Sequence, residues 1–317
     1  MESILKLSQM GKFVIRKNMN ILITGANGQL GNELKTILMQ GKSELGPLPP
    51  QYKDCQVTAI DVDVLDITDP KAVASYFSNH RFEIVFNCAA MTNVDSCETK
   101  EDLAYKINAN GPENLAKACA EFHSKFVHVS TDYVFSGIGN KPFVENDECA
   151  PDTAYGRTKL SGEHLVMQSC RSAIICRTAW LYGYVGNNFV KTMMRLGREN
   201  GVVKVVNDQI GNPTCAVDLA FVMVNLAVTD NSGIFHATCN GPEVSWYEFA
   251  TSIMQESGIK ATVSPCTTKD FPRPAKRPAY SALQNKHLQD IGMDIMRPWD
   301  IALHAWMANY LKMEQKQ

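Results

Sequence analysis

A doubly wound parallel α/β sheet with a smaller C-terminal region is the fold this chain predicts, and three observations carry it. Short aliphatic runs alternate with stretches of helical periodicity from residue 20 to about residue 177. The first run, "ILIT", leads straight into three spaced glycines, Gly25, Gly28 and Gly31. Beyond about residue 180 the alternation loosens into short strands, helices and a basic, proline-bearing stretch. The division expected is an N-terminal extension over 1–18 and a dinucleotide-binding Rossmann-type unit over 19–180. A substrate-binding region follows over 181–317, with segments returning to the first unit.

Taken in order, 21–24 reads as a buried strand and 29–39 as the helix after it. "GKSELGPLPPQYKDC" (41–55) is rich in Gly and Pro and reads as a loop. A strand over 57–61, a helix over 69–80 and a strand over 83–90 follow, then one long helix over 100–122 and a strand over 125–130. The helix 155–168 and the strand 172–177 complete the regular part. Strands joined through helices imply right-handed crossovers and a sheet covered on both faces. Later come the short strands "VVKVV" and "GIFHA", helices near 187–199, 217–228 and 245–256, and the basic stretch 269–281.

Composition narrows the function classes. An apolar share of 45% and a charged share of 20% are those of an ordinary globular protein. A net charge of −2 lacks the basic excess that nucleic-acid binding needs, so no nucleic-acid partner is expected. No apolar run approaches the roughly 20 residues that span a bilayer, and the first 18 residues do not read as a secretory signal. Ten scattered cysteines without Cys-x-x-Cys point to a reducing, cytoplasmic setting. Cys119 and His123 stand four apart in a helix without a second pair, which reads as packing, and no metal site is expected.

Glycines between a first strand and a helix let the backbone turn and approach a pyrophosphate, while the helix N-terminus offers free N–H groups. Gly25, Gly28, Gln29, Leu30 and Gly31 are therefore cofactor candidates. Asp61 ends the second strand, where a carboxylate accepts from an adenosine ribose and repels a 2′-phosphate, which tilts the cofactor toward NADH. Asp66 and Ile67 follow as an adenine edge, and Ala90, Met91 and Thr92 lie at the third strand's tip. Ligands of such sheets bind beyond the strand carboxyl ends, where all these segments fall.

The reacting end is read from "STDYVFSG" and "AYGRTKLSGE". Tyr155 and Lys159, one helical turn apart, share a face and meet Thr131 and Asp132 at the same sheet edge. A ketone that accepts a hydride needs a proton, and a nearby ammonium is expected to lower the Tyr155 phenol from its ordinary ~10. Lys159 also holds the nicotinamide ribose in this reading, and Thr131 orients the carbonyl.

The glycine triplet, the Ser-Thr-Asp strand end and Tyr-x-x-x-Lys together resemble the extended short-chain dehydrogenases/reductases. "GANGQLG", "NCAAMTNVDSCE", "INANGPENLAKAC", "HVSTDYVFSG", "YGRTKLSGE", "RTAWLYG", "NNFVKTMMRL", "VVNDQIGNPT" and "KRPAYSAL" are similar, in order and spacing, to the dTDP-4-dehydrorhamnose reductase family. That resemblance implies reduction of the C4 ketone of dTDP-4-dehydro-β-L-rhamnose with NADPH or NADH, and it allows a homodimer. It places Tyr155 and Lys159 in catalysis and Thr131, Asp132 and Trp180 against the deoxysugar, and the reading of the residues adds Thr131 to the catalytic group. Alternatives of the same fold are an epimerase, a 4,6-dehydratase or a non-catalytic regulatory subunit. Tyr133 stands where a dehydratase of this kind carries a glutamate after the aspartate.

Weaker signals remain. Arg273, Lys276 and Arg277 are cations for a diphosphate, with Arg277 favoured, or else a solvated basic loop. Asn207, Asp208 and Gln209 read as turn chemistry with some substrate contact, and Glu98, Glu145 and Glu163 as solvated surface.

Overall fold

The computed structural model describes residues 19–315, so the 1–18 extension lies outside the described residues. Strands β1 (Asn20–Thr24), β2 (Gln56–Ile60), β3 (Ile84–Asn87), β4 (Lys125–Thr131) and β5 (Ile174–Thr178) form one parallel sheet. β6 (Val202–Val206) lies outside it, and β7 (Gly233–His236) returns to pair with β5. The order is β7-β5-β4-β3-β1-β2, so the chain reverses direction across the sheet between β1 and β3. That reversal is where α/β sheets open a crevice for ligands.

Both faces are covered. On β1, Ile21 and Ile23 enter one core with Leu34 and Phe86, while Leu22 enters the other with Phe77 and Phe126. Alternation on a strand buried on both sides explains why "ILI" is uniformly apolar. Helices α1 (Gln29–Gln40), α2 (Pro70–Asn79), α3 (Gly111–Phe122) and α4 (Ala154–Ser169) follow β1 to β4 in the chain. α5 (Phe189–Asn200), α6 (Ala216–Ala227), α7 (Trp246–Ser257) and α8 (Trp299–Glu314) complete the long helices. β6 pairs in parallel with β8 (Thr262–Cys266), which roofs the cleft beside α5 and α7.

Four segments differ from the sequence reading. The 41–55 loop carries a short antiparallel hairpin and a turn of 3₁₀ helix, and its buried Tyr52 hydroxyl donates to the Val224 carbonyl at 2.8 Å. The helix expected over 100–122 is broken in phase by a π-helical turn at Lys106–Asn110, where Gly111 N–H reaches back to the Lys106 carbonyl. Pro112 follows at once and lacks the N–H that a regular helix would use there. β8 and α8 were not read from the sequence: β8 alternates weakly, and in α8 the exposed Ile301 and Met313 blur the buried stripe Trp299, Ala302, Leu303, Trp306 and Met307.

Candidate active site

A cleft of about 1480 Å³ runs along the carboxyl ends of β1 to β5 and under the β6–β8 roof. Single ligand pockets usually span about 300–1,000 Å³, so this one has room for two nucleotide-sized molecules end to end. Gly25, Gly28, Gln29, Leu30, Gly31, Asp61, Asp66, Ile67, Ala90 and Thr92 line one half. Thr131, Asp132, Tyr155, Lys159, Trp180, Gln209, Arg273, Lys276 and Arg277 line the other.

The first half is made of backbone. Gly25 has φ +67°, and a Cβ there would meet Ala89 N at 2.6 Å. A Cβ on Gly31 would sit 2.3 Å from the Gly25 carbonyl oxygen. Gly28 caps α1 with no side-chain bond, and the first turn holds no acidic residue, so its N–H groups face the cleft uncapped. Asp61 accepts from Asn27 N–H at 3.1 Å and from Val62 N–H at 2.9 Å, which fixes its carboxylate beside the glycine loop. Asp66 accepts from Thr68 N–H, and Ile67 is buried against Gly111. Met91, expected at the cofactor, does not line the cleft. Asn108 binds both its N–H (2.8 Å) and its carbonyl (3.1 Å), and its side chain packs with Cys97, Ala104 and Ala154.

The second half is made of side chains. Thr153 caps α4 by accepting from Gly156 N–H. Gly156 lets the helix start against Tyr133, whose carbonyl oxygen is 2.1 Å from where a Cβ would stand. Three residues on one face of α4, at i, i+4 and i+8, then grip the end of β4. The Tyr155 hydroxyl lies beside that of Thr131, Lys159 Nζ donates to Val129 O at 2.6 Å, and Glu163 accepts from Ser130 Oγ. Burial raises the Tyr155 phenol above its usual range, with the Thr131 hydroxyl opposing. Lys159 is not what tunes it, so the expected lowering by the ammonium is corrected: the lysine faces Val129 and His128 instead. Burial also brings Lys159 down to about 8, partly opposed by Glu163 and Cys88.

Asp132 is buried, takes the Thr131 hydroxyl at 2.9 Å and leaves Oδ2 without a hydrogen-bond partner. Burial pushes its carboxyl up to about 6, opposed by Ser281 and Thr131. Trp180 stands at φ +49°, unusual for a bulky residue, and stacks on Trp246 with centroids 3.5 Å apart. A Cβ at Gly211 would come within 2.6 Å of the indole, so the glycine of "IGNPT" makes room for it.

Of the basic stretch, Arg277 is bound to Asp95 at 2.9 Å and Lys276 to Asp152 at 2.6 Å. Arg273 is exposed and makes no ion pair among the described residues. Asp208 accepts from Thr268 N–H and Oγ1, Gln209 is buried and donates to Thr268, and Asn207 is exposed.

Comparison with known proteins now bears on this geometry. The family described as "RmlD substrate binding domain" matches residues 19–312. The dTDP-4-dehydrorhamnose reductase of Aggregatibacter actinomycetemcomitans is 39% identical over 282 residues, spanning 85% of this chain and 92% of that protein. The chain belongs to the dTDP-4-dehydrorhamnose reductase family. The family's crystal structure from Clostridium acetobutylicum has TM-score 0.86 at 48% identity, over 94% of this chain and 100% of that one. The one from Bacillus anthracis, in complex with NADP, has TM-score 0.86 at 39% identity, over 92% and 99%.

Within this family frame, several residues were missed or misread in the sequence. Glu163 is buried, not solvated: Arg177, facing Ser130 across the β4–β5 register, donates to it through Nη2 at 2.6 Å and Nε at 3.0 Å. Glu145 is buried too, accepting His236 N–H (2.8 Å) and His287 N–H (3.0 Å). Glu98 is half-buried and accepts Ala154 N–H at the start of α4. Asn108 and Asp95 went unnoticed. The spacing Tyr155, Lys159, Glu163 was the available signal for the buried glutamate, since it puts all three on one helix face. Cys119 is buried in the core, and His123 ends α3 in the left-handed conformation.

Proposed function

We propose that this chain reduces the C4 ketone of dTDP-4-dehydro-β-L-rhamnose to dTDP-β-L-rhamnose, taking NADH or NADPH. The observation that carries the reading is the hydroxyl pair Tyr155–Thr131, set in the cleft wall one turn from Lys159 and continuous with the glycine loop. The uncapped N-terminus of α1 and the Cβ-free wall at Gly28 fit a dinucleotide's diphosphate. Gly25, Gly31, Gln29 and Leu30 shape that cradle, Asp61 would hold the adenosine ribose, and Asp66, Ile67, Ala90 and Thr92 would border the rest. When bound, the nicotinamide supplies the hydride.

The chain's own groups manage the proton and the pose. Because burial holds the Tyr155 phenol above its usual range, it keeps its proton at neutral pH and acts as the donor to a developing alkoxide. Thr131 orients the same oxygen. Asp132 Oδ2, buried under the cleft wall, would receive a sugar hydroxyl, and Trp180 would present apolar surface to the deoxysugar. Arg277 is already neutralised by Asp95, so the unpaired Arg273 is the stronger diphosphate contact, with Arg277 beside it. The division at residue 180, a cytoplasmic setting and a homodimer belong to the same proposal. No helix among the described residues is long and apolar enough to cross a membrane.

The test is the loss of NADH or NADPH absorbance with dTDP-4-dehydro-β-L-rhamnose, comparing the wild type with Tyr155→Phe. Stoichiometric oxidation that disappears in the variant supports the reductase. Isomerised sugar without net oxidation points to an epimerase, and cofactor binding without turnover to a regulatory module.

A further inference from the structure

A chain of buried polar side chains crosses under the cleft from β1 to α4, and the proposed mechanism leaves it unused. Asn87 Oδ1, at the end of β3, accepts from the Thr24 hydroxyl at 2.7 Å and from Ala89 N–H at 3.1 Å. A backbone N–H can only donate, so this atom is the amide oxygen and the orientation of Asn87 is determined. Its NH₂ group must then donate to its remaining neighbour, His128 Nδ1, at 3.0 Å. A neutral imidazole that accepts at Nδ1 carries its proton on Nε2. His128 is fully buried and held neutral, its pKa pushed well below the usual range by burial and then by Lys159. Nε2 lies 3.3 Å from Lys159 Nζ.

We infer that Asn87 and His128 are positioning residues that set the charge state of Lys159. An Nε2–H aimed at Nζ meets a lone pair on a neutral amine and a repelling proton on an ammonium. Lys159 is thereby built to give up its proton close to neutral pH and to take it back, in contrast to a fixed cation. Its other facing groups are Val129 O on β4, Cys88 just past the end of β3, and Glu163 on its own helix. Among them Glu163, ion-paired to Arg177, favours the ammonium. The opposing push comes from burial, together with the fixed imidazole tautomer. Burial brings Lys159 to about 8, in the same direction as the tautomer argument. The inference deepens the proposed function and rests on it for one point, that the ammonium form of Lys159 would be the one to hold the nicotinamide ribose.

Two measurements test it. Nitrogen-15 NMR of the histidine side chains in the full-length wild-type protein reads the tautomer directly and needs no turnover. His128 protonated on Nε2 supports the inference, and protonation on Nδ1 overturns it. A chain with the expected tautomer and no reductase activity would instead count against the proposed function alone. The second measurement is the pH profile of kcat. Asn87→Leu removes the amide that holds the tautomer, so Nε2 is free to accept from the ammonium. The alkaline limb, expected near pH 8 in the wild type, should move up by half a unit or more. An unmoved limb in folded Asn87→Leu overturns the inference. If that variant does not fold, Asn87→Asp, which accepts from Nδ1–H, must move the limb the same way.

Discussion

The two halves of the cleft are made of different material. At the glycine-rich half the binding surface is main chain: two close backbone contacts at Gly25 and Gly31 and an uncapped helix start. At the reacting half it is side chain, and each working group is held by another side chain or carbonyl brought from elsewhere in the fold. Lys159 rests on Val129 and His128, Glu163 on Ser130 and Arg177, and Asp132 on Thr131. A backbone site is fixed by local conformation and tolerates variety in its surroundings. A site of buried polar side chains is correct only when every partner is in place.

Substitutions can break or sharpen that contrast. The largest effect is expected from Tyr155→Phe, which removes the proposed proton donor and leaves the backbone cradle intact. It should cost about 10²–10⁴ in kcat with the cofactor KM within a few-fold. A matching rise in KM would mean the two halves are not separable. Glu163→Gln should cost about 3–5 kcal/mol of stability, because Arg177 is left as an uncompensated buried charge. Urea unfolding checks this, and a loss below about 1 kcal/mol would show the pair to be ornamental.

Asp132 gives a pH signature. Its folded pKa, about 6, is above the ordinary carboxyl value, so the folded state binds the extra proton between them. The burial penalty is absent below about pH 4, grows as pH rises and is complete above about 6. Asp132→Asn should therefore gain on the wild type across that window, by about 2–3 kcal/mol from acid to neutral pH. Unfolding midpoints at pH 4 and pH 7 that move in parallel for the two proteins would refute it. Gly31→Ala should destabilise by about 1–3 kcal/mol and weaken NADPH binding, since its Cβ meets a main-chain oxygen and not a mobile side chain. Cofactor titration reads the second effect. The smallest change is Asp61→Ser, which should raise the NADPH-to-NADH ratio of kcat/KM a few-fold.

The same contrast decides what the sequence disclosed. Gly25, Gly28 and Gly31 stand within seven residues of a strand end, so a local reading found the cradle, and alternation found β1 to β5. Tyr155 and Lys159 were found because helical spacing is local too. What held them was not local: Arg177 reaches Glu163 from β5, and His128 reaches Lys159 from β4. Helical spacing puts Glu163 on the face of Tyr155 and Lys159, but no local pattern marks Glu145, because a carboxylate's burial depends on which cation or amide the fold delivers to it. Arg277 was favoured over Arg273 for the same lack, since Asp95 lies far from it in the chain.

The π-helical turn at Lys106–Asn110 has a consequence for what lies on either side of it. One residue more than a regular turn shifts the helix by about 100° in phase. The stretch Glu101–Tyr105 therefore tucks in Ala104, while α3 turns Leu115, Ala116 and Cys119 inward, as if two independent helices had been spliced on a shared axis. Deleting a single residue there would restore uninterrupted winding, rotate one half against the other and swing Asn108 off the Met91 backbone it grips from both sides. The segment's length, counted to the residue, is what keeps the rim of the cleft aligned with its floor.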